Sequence, residues 1–377
     1  MNAFRRALVR EVQHLRHDRW DLAGITLLPG FLIFIVAALF WQGPLLQVPL
    51  GIVDGDASTA SRTVIRALDA SPLIRFGGYY PGEVEAVRAV RAGKIMGFAH
   101  IPAGLGESVA RHREPVVRIL YNGSFLTAGG QVARAAEEAV TEALPEIAAD
   151  QLPNHAVPAS RVRRLAVEAT PLGNAPSSFE WFLGLLIFPA VLHLIAACVC
   201  AMAIGRELED KSLSAWAKAS GGVASAMVGK MLPYVLAISG WGLVWLLYLT
   251  LARGWRVEGS IVLIACGQTL FYTATAAIAA LLVAVTRETA TALSASAVYA
   301  GSALAYSGAT LPLNGANAFA RTWSNVLPLT HYIALQMGQV SGQAVAAAVA
   351  PTTSLMAYVV IAGGGAWAFI MARARRA

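Results

Sequence analysis

Six stretches of this chain are apolar over a length that can cross a lipid bilayer, and they decide most of what it can fold into. A bilayer's hydrocarbon core takes about 20 apolar residues per helix. The windows fall near 23–42, 181–204, 225–251, 260–285, 290–309 and 353–372. Only 14% of the residues are charged, against about 25% in soluble domains. The fold class expected is a polytopic α-helical membrane protein with six transmembrane helices and an inserted external α/β domain. The fifth window, "TALSASAVYAGSALAYSGA", is the least apolar. Its Ala, Ser, Gly and Thr let helix backbones approach closely, so it is expected inside the bundle.

The windows divide the chain into four parts: residues 1–21, a cytoplasmic amphipathic helix at the membrane interface; 22–42, the first transmembrane helix; 43–178, the external domain; and 179–377, the other five helices. The first apolar run follows about 20 charged and mixed residues and has no small-residue cleavage site beyond it, so it reads as a permanent anchor.

Orientation follows from Lys and Arg in short loops. Thirteen of them fall in one alternating set, from Arg5 to Arg376, against three (Arg253, Arg256 and Arg321) in the other. Both termini are therefore expected in the cytoplasm. The 43–178 insert carries 13 acidic and 13 basic residues, so the net charge of +7 belongs to the membrane and cytoplasmic parts. Such a distribution needs no nucleic acid to explain it, and none is expected as a partner.

Cys198, Cys200 and Cys266 lie in spans, without metal-site spacing to histidine. They read as buried thiols, and no metal is expected. The cysteine-free insert must be held by its own core. "VPLGIVDGD", "IMGFAHIP" and "PVVRILYNGS" read as strands, alternating with helices. The long helix from Phe125 is expected to break or end near Pro145, and "SRVRRLAVEATPL" to return as a strand. His100, His112 and His155 are scattered through this domain and suggest no site.

In "NAFRRALVREVQHLRHDRW", Phe4, Leu8, Val12 and Leu15 share one helical face, which suits a helix lying on the inner membrane surface. After the second span, Arg206, Glu207, Glu209, Asp210 and Lys211 crowd together, followed by Leu213 and Trp216. A short charged helix near 205–220 that docks a partner and an ordinary solvated loop are equally compatible with this pattern. His193 lies within the second span, where an ionisable side chain is a functional candidate; bonding between helices is its commoner use.

The segment "SGATLPLNGANAFARTWSNVLPLTHYIALQ", 307–336, is too polar for a span and too apolar for a surface loop. Pro312 and Pro328 break regular helix, Asn314 and Gly315 favour a turn, and Trp323 suits an interface. Irregular backbone at membrane depth survives where it is buried in protein or lines a cavity. A re-entrant-like external segment is expected near 310–345, with Pro312, Trp323, Pro328, Thr330 and His331 as its gate-like residues.

Enzymatic readings fit poorly. A phosphate-binding loop requires Gly-x4-Gly-Lys-Ser/Thr, but Gly229-Lys230 is followed by Met231. An intramembrane hydrolase would pair Ser302 or Ser307 with His331 or His193, and packing explains those serines better.

Three stretches resemble the permease subunit of type-2 ATP-binding cassette (ABC) exporters. Arg206, Glu207, Glu209, Gly229, Lys230 and Pro233 fit its Arg-Glu-x-Glu cluster and Gly-Lys-x-x-Pro sequence. "TLPLNGANAFARTWSNVLPLTHYI" is similar to its external loop before the last span, and "LGIVDGD", "AGKIMGFAHIP" and "VRILYNGS" follow the order of its external domain. Family members often have Gly-Thr where this chain has Asp210-Lys211-Ser212, with Ser212 expected to replace the Thr as a cap. The resemblance implies a coupling helix near 205–220, with Arg206, Glu207, Glu209, Lys211 and Trp216 meeting cytoplasmic ABC ATPase subunits. It implies ATP and Mg bound by those subunits and no cofactor on this chain. It further implies a second permease copy, identical or similar, a pathway lined by spans one, two and five, membrane lipids as surroundings, and a bacterial inner membrane location. By analogy, a periplasmic adaptor protein is a further partner. The alternative is a membrane receptor or secretion scaffold that binds a partner through its external domain without transport.

Overall fold

The chain starts with three helices in series, α1 (Ala3–His17), α2 (Arg19–Ile25) and α3 (Leu27–Phe40). The computed structural model describes residues 3–40, 47–110, 117–121, 126–151, 179–310 and 316–375. Asp18 separates α1 from α2 and caps the latter, accepting from the amides of Trp20 at 2.9 Å and Asp21 at 3.0 Å. Such a cap satisfies amides that the first helical turn leaves open.

Residues 43–169 form one compact unit. Its elements are β1 (Val48–Asp54), α4 (Thr59–Ala70), β2 (Ile74–Tyr79), α5 (Glu83–Arg91), β3 (Gly97–Ile101), α6 (Leu105–Ala110), β4 (Arg118–Tyr121) and α7 (Leu126–Gln151). The sheet order is β2-β1-β3-β4, with β1 parallel to β2 and β3, and β4 antiparallel to β3. Leu50, Ile52, Val64, Leu68, Ile101, Val132 and Ala136 make the main core. The three expected strands are present; β2, "IRFGGY", was not expected, because an Arg and two glycines hide its pattern. Helix α7 continues past Pro145 to Gln151. The expected strand at 160–172 lies outside the described residues, as do His112 and His155. His100 Nδ1 lies 2.8 Å from Glu83, beside Arg118.

The other unit joins α1–α3 to the remaining helices. These are α8 (Phe179–Glu209), α9 (Leu213–Ala219), α10 (Val223–Leu247), α11 (Ile261–Thr286), α12 (Thr289–Ser302), α13 (Ala318–Val326), α14 (Pro328–Val340) and α15 (Val349–Ala374). A π-helical turn, Tyr248–Ala252, extends α10, and a 3-10 turn, Val345–Ala348, precedes α15. Five helical stretches among the described residues are long and apolar enough to cross a membrane: Arg19–Ala38, Glu180–Glu209, Val223–Ala252, Ile261–Thr286 and Val345–Ala374.

The fifth sequence window departs from expectation. Its helix stops at Ser302 after 14 residues, about 21 Å at 1.5 Å per residue and short of a hydrocarbon core of about 30 Å. The chain then turns: the Ser302 hydroxyl donates to the Tyr299 carbonyl at 3.0 Å and the Ser307 hydroxyl to Leu304 at 2.8 Å. Close packing is nevertheless as expected. Ala292, Ser296 and Ala300 are buried, and α12 lies along α8.

Candidate functional site

The end of α8 carries the densest charge in this unit, and the structure sorts its residues into two sets. Arg206 and Glu207 turn inward. Arg206 donates to Glu11 Oε1 at 2.7 Å and to the Tyr234 hydroxyl at 2.9 Å, and pairs with Asp21. Glu207 accepts from Lys230 Nζ at 2.8 Å, from Arg10 at 3.0 Å, and from the Ser212 hydroxyl. Lys230 also reaches Glu11 Oε2 at 2.9 Å, and Tyr234 donates to Glu11 Oε1 at 2.8 Å. Three cations, Arg10, Arg206 and Lys230, therefore meet three carboxylates, Glu11, Asp21 and Glu207. Glu11, Glu207 and Lys230 are each less than 5% exposed. Buried charge is tolerated only when paired and hydrogen-bonded, and each group here is.

This cluster explains the seat of α1. The face it buries is Ala7, Glu11 and Leu15, spaced four apart, so they stack on one side of the helix. That face packs on α10. The contact is close enough to require glycine: a Cβ on Gly229 would stand 2.6 Å from the Ala7 Cβ, and one on Gly221, at φ +72° in the turn before α10, would overlap the Ala3 Cβ. Leu8 and Val12 flank the buried face, half-buried, while Phe4 is exposed. Of the apolar face read from the sequence, Leu15 is therefore buried against protein, while Phe4, Leu8 and Val12 lie one position beyond the buried Ala7–Glu11 edge.

The second set faces outward. Glu209, Asp210 and Lys211 are exposed at the corner between α8 and α9, as are Ala215 and Lys218 on α9. Trp216 is buried with Leu213, and Lys230 lies 6.0 Å from its ring centre, within cation–π range. Lys211 takes φ +53°, the left-handed position after a helix end that glycine usually fills. Ser212 does not cap α9 with its side chain; its hydroxyl is engaged by Glu207.

Next to this joint, His14, Asp18 and Asp21 bring ligand atoms within 4.8 Å of one another. Asp18 is committed to capping α2 and Asp21 to Arg206. The Asp21 backbone amide holds the Asp18 carboxyl below its usual pKa. An N-cap and an ion pair account for this trio.

The other expected site divides. Pro312, Asn314 and Gly315 lie outside the described residues. Leu327 is extended before Pro328, as a residue preceding proline should be, and Pro328 opens α14. Trp323 donates from Nε1 to Ser302 Oγ at 3.2 Å, and the Tyr299 hydroxyl donates to the Val326 carbonyl at 2.9 Å. Tyr358 donates to the Asn325 carbonyl, which also lies 3.3 Å from His331 Nε2. Thr330 meets Ser324 at 3.3 Å. Helix α14 is embedded among the spans: Tyr332, Ile333 and Gln336 are buried, and Gln336 donates to the Leu185 carbonyl of α8 at 2.7 Å.

Aromatic rings run through this region in succession. Tyr306 meets Phe319, Phe319 stacks on Trp323, Trp323 meets Tyr299, Tyr299 meets His193, and His193 lies on Phe271, with neighbouring centroids 4.9 to 6.3 Å apart. Along it the rings pass from exposed Phe319 to fully buried His193 and Phe271. The Thr275 hydroxyl donates to the Phe271 carbonyl at 3.0 Å and lies 2.8 Å from His193 Nδ1. That network assigns the hydrogen to Nδ1 and leaves Nε2 as an acceptor without a partner among the described residues. Neither Ser302 nor Ser307 hydrogen-bonds a histidine among the described residues; both engage backbone carbonyls. The arrangement a serine hydrolase requires is not assembled there.

The participants that sequence reasoning missed are Arg10, Glu11, Asp21 and Tyr234. The available signal was Glu11 itself, an acid in step with Ala7 and Leu15. Lys230, which in the sequence stands out only as part of the Gly-Lys-x-x-Pro motif, is the cation that closes the cluster. Compared with known proteins, residues 19–369 match the family model described as ABC-2 family transporter protein. Among curated proteins, none matches the chain.

Proposed function

The chain belongs to the ABC-2 family of transporter proteins, and from that premise we propose that it is the permease subunit of an ATP-driven exporter, forming a substrate pathway with a second permease copy. A multi-pass membrane subunit of this family works with an ATPase subunit. The observation that carries the reading is the division of charge at the α8–α9 corner. Glu207, Arg206 and Lys230 bind α1, α8 and α10 into one ionic joint, while Glu209, Lys211 and Lys218 stay exposed on the same corner. A partner that pushed on α9 would push on a braced element. Force would pass to α8 and α10 together, and to α1 through Glu11.

On this reading α9 is the coupling helix and the basic end of the bundle is cytoplasmic, in a bacterial inner membrane. Glu209, Lys211 and Lys218 meet the ATPase, which supplies the ATP and Mg chemistry. Arg206, Glu207 and Trp216 act from behind, as bracing. The pathway runs beside α3, α8 and α12, with the row from Phe319 to His193 as its outer gate. The α/β unit at 43–169 is external and is the surface for a periplasmic adaptor.

The test is affinity purification of the full chain from its native membrane in mild detergent, followed by mass spectrometry. A stoichiometric ATPase carrying a phosphate-binding loop, depleted by Glu209→Lys with Lys218→Glu, is the expected result. Repeated cross-linked preparations without an ATPase would turn the reading to a non-transporting receptor or scaffold acting through its α/β unit.

A further inference from the structure

A groove of about 300 Å³ opens between α10, α11 and α15, and none of its lining residues belongs to the ionic joint or the aromatic row. Its volume is at the lower end of small-molecule sites. Along α10 it runs from Ala224 to Val235, and along α15 from Val359 to Trp367. At 1.5 Å per residue the α10 wall is about 16 Å long, close to half of a hydrocarbon core about 30 Å thick.

The groove starts at one end of α10 and reaches the middle of α11, at Thr273, and of α15, at Val359. Helix α10 begins at Val223, one residue before the groove does. Helix α15 ends at Ala374, two turns beyond Trp367. The α10 wall thus matches the depth of a single leaflet and begins on the side that carries α1 and α9. Its walls are apolar apart from Thr273, whose hydroxyl is satisfied by the Thr269 carbonyl at 2.7 Å, and the indole N–H of Trp367. Such a lining favours a hydrocarbon chain over a polar ligand. Space at its floor is real: a Cβ on Gly363 would make only an ordinary contact, 3.8 Å from Ala277.

The same helix ends are cationic. Arg287 caps α11, Arg373 and Arg375 close α15, and Lys218 sits on α9, which packs against both α10 and α15. All four are exposed, and none is ion-paired with a carboxylate among the described residues. An apolar slot one leaflet deep, beneath a group of cations, has the layout of an anionic phospholipid. We infer that this groove holds one acyl chain of an anionic phospholipid from the leaflet at the basic end, with its headgroup at Lys218 and Arg373. The lipid is a resident ligand of α10, α11 and α15, distinct from transported cargo.

Trp367 lines the groove and reports on it. The full chain is reconstituted in phosphatidylcholine vesicles containing increasing fractions of phosphatidylglycerol brominated on its acyl chains, or of phosphatidylcholine brominated in the same way. The fluorescence of a Trp367→Phe variant is subtracted to isolate Trp367. The expected result is half-quenching at an about five-fold lower fraction of the brominated phosphatidylglycerol, the equivalent of about 1 kcal/mol for a basic side chain at an anionic surface. Lys218→Gln with Arg373→Gln removes that preference but keeps the quenching, and Gly363→Leu, which fills the groove, removes the saturable part. Equal quenching by both lipids in the unaltered chain would mean bulk bilayer contact and overturn the inference. Trp367 quenched by neither lipid would mean that protein covers the groove, and would overturn it as well.

Discussion

Lys230 of α10 lies 2.8 Å from Glu207 at the end of α8 and 2.9 Å from Glu11 of α1, with all three side chains buried. One ammonium thus ties together three helices that are 23 and 219 residues apart in sequence. Lys230→Met would leave two carboxylates buried against fewer cations. Breaking a buried pair from one side costs about 3–5 kcal/mol. The thermal unfolding midpoint in detergent should fall sharply, and α1 should become open to proteolysis. Glu207→Gln added to Lys230→Met should recover part of the loss, because it removes one of the stranded charges. An unchanged midpoint in Lys230→Met would mean that the cluster does not hold α1.

The α1–α10 contact sets a size limit at Gly229. Its added Cβ would meet the Ala7 Cβ at 2.6 Å and the Leu8 amide nitrogen at 3.1 Å. Gly229→Ala should cost about 1–3 kcal/mol by overpacking, despite alanine's higher helix propensity. Ala7→Gly should rescue it by vacating the space. Thermal melts of both single variants and the double variant give the coupling directly.

Lys211 pays a conformational cost at φ +53°. A left-handed backbone costs a non-glycine residue about 1–2 kcal/mol. Lys211→Gly should therefore stabilise the corner by about 1 kcal/mol, read as a higher unfolding midpoint. If the lysine also contacts a partner, the same variant will weaken ATPase recovery while the chain melts higher, which separates coupling from folding.

The Asp18 cap carries a pH dependence of known sign. Its carboxyl is held below the usual carboxylate range by the Asp21 amide. Stability from a depressed carboxylate is present above its unfolded pKa of about 3.9 and is lost as the pH falls through the folded value. Asp18→Ala should destabilise α2 by about 0.5 kcal/mol, the low end for a cap, because the carboxylate is well exposed and screened. The difference between the two chains should be flat near neutrality and vanish in acid. Asp18→Asn should retain most of the cap.

The long apolar spans were legible because membrane crossing demands sustained composition, which any window of the sequence displays. The fifth window misled in length, since its Ala, Ser and Gly fit a buried helix without fixing where it stops. Turn bonds from Ser302 and Ser307 fix that, and serine in such a run has no distinctive pattern. The corner at 206–211 was legible as a cluster of charge and illegible in direction. A carboxylate at a helix end looks the same in sequence whether water or Lys230 solvates it, and the groups that decide, Arg10 and Glu11, lie almost 200 positions away. Glu209 and Glu207 sit two residues apart and so point to different sides of a helix, which a motif spelled as a string does not convey. The helix boundary at Pro328 was readable from residue type alone, while the row linking Trp323 to His193 required Tyr299 from another helix.

The central claim is that α9 and its exposed corner receive an ATPase. A photo-reactive amino acid placed at Ala215, which is exposed on α9 and apart from the ionic joint, tests it most directly. The full chain is irradiated in its native membrane, and cross-linked partners are identified by mass spectrometry, with a probe at exposed Val262 near the opposite end of the bundle as control. The account predicts an ATPase subunit cross-linked at Ala215 and absent at Val262. An ATPase absent from Ala215, or captured equally at Val262, would contradict it.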